Sequence, residues 1–154
     1  MNKKCTVIIA FLLLVIGGGI YKFIFQGSVS ESTDGRIAVH LDAGETDLVL
    51  MEMRMFLEAV QLIVKGTNEN DMKLVAEAAR KVGKAAQAAV PGTLMGKLPI
   101  ELKTLGFDTH TKFDQMAMDA EELGDSKHAS EQLATLMQNC VACHAAYRLD
   151  ISSK

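Results

Sequence analysis

Four stretches of helical periodicity constrain the fold of this chain more than any other feature. In each stretch apolar side chains recur every three or four residues, the spacing that lines one face of an α-helix. In the first stretch the stripe consists of Val49, Met53, Phe56, Val60 and Ile63. Helices with one apolar face bury it only against each other, so the pattern predicts an all-α fold, an antiparallel four-helix bundle. The predicted helices cover about 47–65, 71–90, 108–123 and 126–149, and residues 91–107 form a long connection with a short helix from Pro99.

The composition agrees with a helical fold. Hydrophobic residues make up 49% of the chain but aromatic residues only 5%, with nine methionines and no tryptophan. Abundant Ala, Leu and Met with few aromatic residues favours helices over a β-sandwich.

The N-terminus predicts a membrane anchor over residues 1–27. Lys3 and Lys4 precede an apolar run, 7–20, and an aromatic flank, 21–25. A basic start and an apolar middle are also typical of a secretory signal, but no small-x-small cleavage site follows. We therefore expect an uncleaved anchor, with a cleaved signal as the alternative, and a periplasmic domain beyond it.

The remaining residues divide into a linker and a domain. Residues 28–46 are polar, contain glycines and show no period, so a flexible linker is expected there, followed by the helical domain at 47–154. Beyond residue 27 the chain has 13 basic and 19 acidic side chains, a net charge of −6. This balance argues against nucleic-acid binding and is sufficiently explained by solubility.

The chemistry of the chain centres on Cys140, Cys143 and His144. They form the C-x-x-C-H pattern of covalent c-type haem attachment. Two thiols add across two vinyl groups of the porphyrin, and the imidazole reaches the iron from one side. On a helix, residues 140 and 144 share a face and residue 143 lies beside them, so one turn presents both tethers and the axial ligand. The sequence therefore predicts one covalently bound haem c.

Three other interpretations of the cysteines are weaker. A zinc site needs about four protein ligands, and His40, His110 and His128 show no matching pattern. A thioredoxin-type redox pair follows a strand, whereas this motif ends a helical stretch. A structural disulfide in a helical interaction module leaves His144 unexplained.

The residues around the motif point to a family. A haem motif on the last of four helices, continuing as C-V-A-C-H-A-A-Y-R, resembles the class II c-type cytochromes, the cytochrome c′ and cytochrome c-556 family. The resemblance covers about 47–150; it is specific at 140–148 and otherwise rests on helix order and the V-K-G of 64–66. It implies that His144 is the proximal iron ligand and that Arg148 lies near the haem edge. The alternative for Arg148 is an exposed arginine that stabilises the helix C-terminus.

The sixth position of the iron separates two functions within that family. An apolar residue of the first helix blocks it in cytochrome c′, which binds small gases, and a methionine fills it in the c-556 relatives, which carry electrons. At 100° per residue Met53 lies on the apolar stripe, whereas Met51 projects to the polar side and Met55 to the flank. Met53 is therefore the expected distal ligand. An ungapped count back from Gly66 instead places Leu50 there, as in a gas-binding cytochrome c′.

The predicted function is single-electron transfer by a membrane-tethered monohaem cytochrome, with nitric oxide or other gas binding as the alternative. No catalytic triad or carboxylate pair accompanies the motif, so no enzymatic activity is expected. Redox proteins, themselves membrane-associated, are the expected partners. Family members often pair through the first two helices, which the small residues of the second helix would allow here. His110 is expected to be hydrogen-bonded to backbone or to lie near the haem edge, rather than to bind iron.

Overall fold

Most of the described chain is helical. The computed structural model describes residues 3–151, apart from the side chain of Ala89. Within this range 79% of the residues are helical, in six α-helices, one π-helix and one 3₁₀-helix, and a small three-stranded sheet completes the fold. The α-helices are α1 (Lys3–Ile20), α2 (Ala43–Glu69), α3 (Met72–Lys81), α4 (Gly92–Lys97), α5 (Ile100–Leu123) and α6 (Ser126–Ala146). A π-helix (Tyr21–Gln26) continues α1, a 3₁₀-helix (Lys84–Ala89) follows α3, and the strands are β1 (Val29–Glu31), β2 (Ile37–Leu41) and β3 (Tyr147–Ile151).

Two apolar clusters hold the body together. The larger one, the main core, is shared by α2, α3, α5 and α6. Its buried members are Ala59, Ile63, Met72, Val75, Ala76, Ala78, Ala79, Val82, Phe113, Met116, Ala117, Ala120, Ala129, Leu133 and Leu136. The smaller one, the sheet cluster, lies beneath the sheet. It consists of Val39, Leu41 and Leu94, with Val29, Leu48, Val49, Val90, Leu98, Leu102, Tyr147 and Leu149 packed against them.

The two clusters fix the direction of each long helix. The first turns of α2 and α5 contact the sheet cluster and their later turns enter the main core. The chain returns toward the sheet cluster after α3, and again at the end of α6. The start of α2 and the end of α6 therefore lie at the same end of the body.

The flexible linker expected over 28–46 differs from the structure. This segment contains β1 and β2, which pair antiparallel, and β2 pairs parallel with β3 from Ile37↔Tyr147 to Leu41↔Ile151. Y-R-L-D-I alternates apolar and polar side chains, the period of a strand. I-A-V-H-L is apolar except for His40, which agrees with the burial of Ala38, Val39 and Leu41. The sheet joins the segment after the N-terminal apolar helix to the segment after the cysteine motif.

The first long helix starts earlier and ends later than predicted. Asp42 caps it, because its carboxylate accepts a hydrogen bond from the Glu45 amide at 2.9 Å while the Glu45 carboxylate accepts one from the Asp42 amide at 3.1 Å. Gly66 lies inside α2 and does not end it. A Cβ at this position would meet Val75 Cγ2 at 2.8 Å, so this glycine allows α3 to approach closely. The helix ends at Asn70, whose φ of 57° is left-handed.

The other helix ends also differ from the predictions. The second helix stops at Lys81, because the Asp114 carboxylate occupies the space a side chain on Gly83 would need and accepts a hydrogen bond from the Lys84 amide at 3.0 Å. The short helix expected after Pro99 and the helix expected from Asp108 are one helix, α5, so Asp108 is not a cap.

The N-terminal segment has the length and apolarity of a membrane anchor or a signal sequence. Among residues 3–151, Lys3–Gln26 is the one helical run of this kind, with a mean hydropathy of 2.4 and none of it buried in the body. At 1.5 Å per residue it is about 36 Å long, more than the roughly 30 Å of a bilayer's hydrocarbon core.

Candidate functional site

The cysteine motif occupies the last two turns of α6. Cys140 is half-buried and packs against the main core, and Cys143 is half-buried beside it. His144 is exposed. Among the described residues, no hydrogen bond or ion pair engages the His144 imidazole; only its carbonyl is contacted, by Arg36 Nη1 at 3.5 Å. The turn therefore presents two sheltered thiols and an imidazole that has no partner among residues 3–151.

Both thiols are held in the neutral form. Burial raises the pKa of Cys140, and burial followed by the neighbouring Cys140 raises the pKa of Cys143. Both lie at the C-terminal end of a helix, where the helix dipole disfavours a thiolate. A cysteine pair that exchanges disulfides has at least one thiol with a lowered pKa. The environment therefore disfavours a thioredoxin-type redox pair.

A polar network on α5 fixes the rotation of α6 one residue before the motif. The buried Asn139 donates hydrogen bonds from Nδ2 to Asp108 Oδ2 at 2.8 Å and to Thr109 Oγ1 at 3.2 Å. Its Oδ1 accepts one from Lys112 Nζ at 3.2 Å, and Lys112 pairs with Asp108 at 2.6 Å. Lys112, and then Asn139, lower the pKa of Asp108. Sequence analysis did not single out Asn139; an Asn in an otherwise apolar stripe, directly before the motif, was the available signal.

The motif lies at the boundary between the two apolar clusters. On α2, residues 50–55 separate the sheet cluster from the main core, and after Cys140 residues 141–146 do so. The two helices are in contact, and the order in which they meet the two clusters gives them opposite directions. Met53 of α2 and the Cys143–His144 pair of α6 both fall in the interval between the clusters, and no hydrogen bond joins them among the described residues.

The helical faces of α2 separate Met53 from its alternatives. Met53 is half-buried, in line with the half-buried Val49 and Phe56. Leu50 lies on an outer line with Leu57, which is 70% exposed. The exposed fractions of the alternative residues are 44% for Leu50, 45% for Met51 and 37% for Met55.

His110 is buried on α5 and contacts α2. Its Nδ1 donates to the Val82 carbonyl at 2.7 Å, and its Nε2 lies 3.3 Å from Glu52 Oε1, beneath the Phe56 ring at a centroid distance of 5.0 Å. Burial alone would lower the pKa of His110, but the bonds to Glu52 and Val82 outweigh it and raise the pKa. Both ring nitrogens are occupied, so this histidine is held by backbone and carboxylate, one of the two roles expected for it.

Arg148 and Tyr147 lie on opposite faces of β3. Arg148 lies in β3, two residues beyond the end of α6. Its guanidinium pairs with Asp150 at 2.9 Å and with Asp34 at 3.6 Å, and donates to Ser32 Oγ at 3.3 Å. Tyr147 packs in the sheet cluster. Arg148 thus ties β3 to the β1–β2 loop.

The described residues offer few ligands for a bare metal ion. Between residues 3 and 151, no three His, Cys, Asp or Glu side chains converge in a group that could hold one. A structural zinc site needs about four such ligands, so the geometry disfavours zinc at the motif. A porphyrin supplies four nitrogen ligands itself, so covalent haem attachment requires only one imidazole ligand and two thiols from the protein.

Comparison of the chain with protein-family models, with curated proteins and with solved structures finds no match.

Proposed function

We propose that this protein is a membrane-anchored monohaem c-type cytochrome that carries single electrons in the periplasm. The observation that carries the proposal is the last part of α6, where Cys140 and Cys143 present neutral, half-buried thiols beside an exposed and unpartnered His144. Neutral thiols add to vinyl groups without first forming a disulfide, and a free imidazole nitrogen is available to iron. The donor set therefore fits a covalently attached haem.

The chain's own residues have distinct roles in this proposal. Cys140 and Cys143 tether the porphyrin, His144 is the proximal ligand and Met53 the distal one. When bound, the haem supplies a one-electron redox couple. Thioether ligation favours ferrous iron and raises the potential. Arg148 is proposed near the haem edge, with the ion pairs of β3 orienting it.

The helices would form the antiparallel bundle expected of a class II cytochrome. Support comes from the shared main core of α2, α3, α5 and α6 and from the alternating direction of these helices. The bundle's task would be to exclude water from the ring while leaving an edge accessible.

Contacts at the end of the N-terminal segment support an uncleaved anchor. Lys103 Nζ donates hydrogen bonds to the carbonyls of Phe23 at 3.2 Å and Ile24 at 3.0 Å. The Ser28 amide donates one to the backbone carbonyl of Lys97 at 2.7 Å. A segment destined for removal needs no such contacts with the body. With Lys3 on the cytoplasmic side, the body would lie in the periplasm.

The ferric absorption spectrum of the haem-loaded protein tests the proposal. We expect a low-spin spectrum with a far-red sulfur-to-iron band, which Met53→Ala converts to high spin. Met51→Ala, on the exposed side of the same helix, is the matched control and leaves the spectrum unchanged. A high-spin wild-type protein would contradict electron transfer through a methionine-ligated haem and favour the five-coordinate, gas-binding form.

A further inference from the structure

A cavity lies where the membrane segment meets the body. Its volume is about 340 Å³, within the range of sites that bind small molecules. Its walls include aromatic and aliphatic side chains from four elements, with one carboxylate among them. These are Tyr21 and Phe25 of the π-helix, Ile37 of β2, Ile100 and Glu101 of α5, and Tyr147 of β3.

The cavity is held at the membrane surface by a rigid connection. Lys103 caps the carbonyl end of the π-helix. Gly27, with a φ of 69°, packs so closely on the backbone that a Cβ would lie 2.7 Å from the carbonyl carbon of Leu98. Tyr21 and Phe25 are 63% and 48% exposed, as expected of aromatic residues at the bilayer interface. The mouth of the cavity therefore opens where the hydrocarbon ends.

One wall of the cavity comes from a residue that follows the cysteine motif closely in sequence. Tyr147 follows Cys143 by four residues, about 6 Å at the rise of an α-helix. Burial is the main cause that raises the pKa of Tyr147, followed by the negative charges of Glu101 and of Cys143 when it is ionised. One side chain thus forms a wall of the cavity and stands next to the haem-attachment turn.

We infer that this cavity binds the ring of a lipid-soluble hydroquinone, which would make the protein an acceptor of electrons from the membrane. The inference rests on the proposed function. An aromatic ring suits the walls formed by Phe25, Ile100 and Tyr147, and its prenyl tail stays in the bilayer beside α1. Each ring hydroxyl must lose a proton on oxidation, and Glu101, the carboxylate in the wall, accepts it.

Oxidation of the hydroquinone requires one further reactant, a one-electron acceptor protein. A hydroquinone becomes a quinone by giving up two electrons and two protons. A haem held by Cys140, Cys143 and His144 would supply the one-electron couple, so each electron would go on to a one-electron acceptor protein before the next, and both protons would pass from Glu101 to water.

Photolabelling tests the site without depending on haem. The full chain, in haem-free and haem-loaded forms, is placed in phosphatidylcholine nanodiscs with a short-tailed azido-quinone, illuminated and digested for mass spectrometry. We expect label on the cavity walls in both forms, displaced by unlabelled quinone. Ile37→Trp, at a site 39% exposed, should reduce labelling about tenfold, equivalent to about 1.4 kcal/mol. Leu57→Trp, on the outer face of α2, should not.

A second variant separates binding from electron delivery. Glu101→Gln replaces an exposed side chain with one of equal size, so folding is retained. We expect it to slow reduction of the ferric haem by a hydroquinone about tenfold and to leave reduction by dithionite unchanged.

Several outcomes would overturn the inference. The first is label spread evenly along α1, and the second is displacement of the label by phosphatidylcholine alone. The third is label that appears on the haem-free chain but not on the haem-loaded chain, because the cavity would then be part of the haem pocket. Equal hydroquinone rates for Glu101→Gln and wild type would also overturn it. If the chain carries no haem, the proposed function fails, while labelling of the haem-free chain still decides the quinone site.

Discussion

Replacing Asn139 by alanine should destabilise the protein by removing the network that holds α6 against α5. The amide makes three hydrogen bonds, to Asp108, Thr109 and Lys112. Asp108 and Lys112 are partly exposed and remain paired with each other, so water can replace much of their hydrogen bonding to Asn139. Only the bond to Thr109 is buried. The loss of these hydrogen bonds amounts to about 2 kcal/mol, near the middle of the range for buried hydrogen bonds, which corresponds to a fall in Tm of roughly 4–8 °C.

Denaturant unfolding of the full chain in detergent, followed by far-UV circular dichroism, measures this loss. Gln138→Ala, one residue earlier and exposed, is the matched control and should cost no more than about 0.5 kcal/mol. Asn139→Asp keeps the shape but places a carboxylate against Asp108, so it should cost more than Asn139→Ala at neutral pH and recover part of the loss below about pH 4. If Asn139→Ala were as stable as Gln138→Ala, the network would not hold the last turns of α6.

Three further outcomes are expected. Gly66→Ala should destabilise the chain by about 1–3 kcal/mol because its Cβ would meet Val75 at 2.8 Å. Gly106→Ala, in a helix with open space around it, should instead stabilise the chain by about 0.5–1 kcal/mol. Equal effects of the two variants in urea unfolding would refute the close contact between α2 and α3. The pKa of His110 is raised in the folded protein, so protonated His110 stabilises the fold fully below the ordinary pKa of about 6.5, and this stabilisation is lost as the pH rises through the folded pKa. The free energy of unfolding should therefore fall above about pH 6.5 in wild type and fall less in Glu52→Gln. Identical pH profiles would contradict the pairing of His110 with Glu52. Lys103→Met should remove the hydrogen bonds to the end of the π-helix and raise amide hydrogen exchange at residues 24–28, while exchange in the main core stays unchanged. Unaltered exchange at 24–28 would show that Lys103 does not stabilise this connection.

Helical periodicity was sufficient to predict the long helices but not their ends. The a/d spacing around Phe56 and Ile63 correctly predicted the apolar face of α2, because burial of a stripe depends only on local spacing. Gly66 and Asp108 were misplaced as an end and a cap, because their roles depend on residues distant in sequence. Gly66 is needed by α3, and Asp108 pairs with Lys112 and Asn139. Such contacts leave no periodic signal.

The sheet was missed for a different reason. Apolar and polar side chains alternate in 147–151, whereas 37–41 is a short, largely apolar run. Each strand is only five residues long, and the second directly follows a helix. A parallel pairing between segments more than a hundred residues apart is a tertiary event that neither segment specifies alone. For the site, the spacing of Cys140, Cys143 and His144 was readable from the sequence, whereas the cavity beside Tyr147 was not, because its walls come from distant parts of the chain.

Covalent attachment of one haem to the final turns of α6 is the claim that the account depends on. The most direct test is the intact mass of the mature protein, purified from a host that assembles c-type cytochromes. The account predicts the polypeptide mass increased by one haem, with both Cys140→Ser and Cys143→Ser reducing the loaded fraction and Cys5→Ser leaving it unchanged. A wild-type protein with the bare polypeptide mass would contradict it.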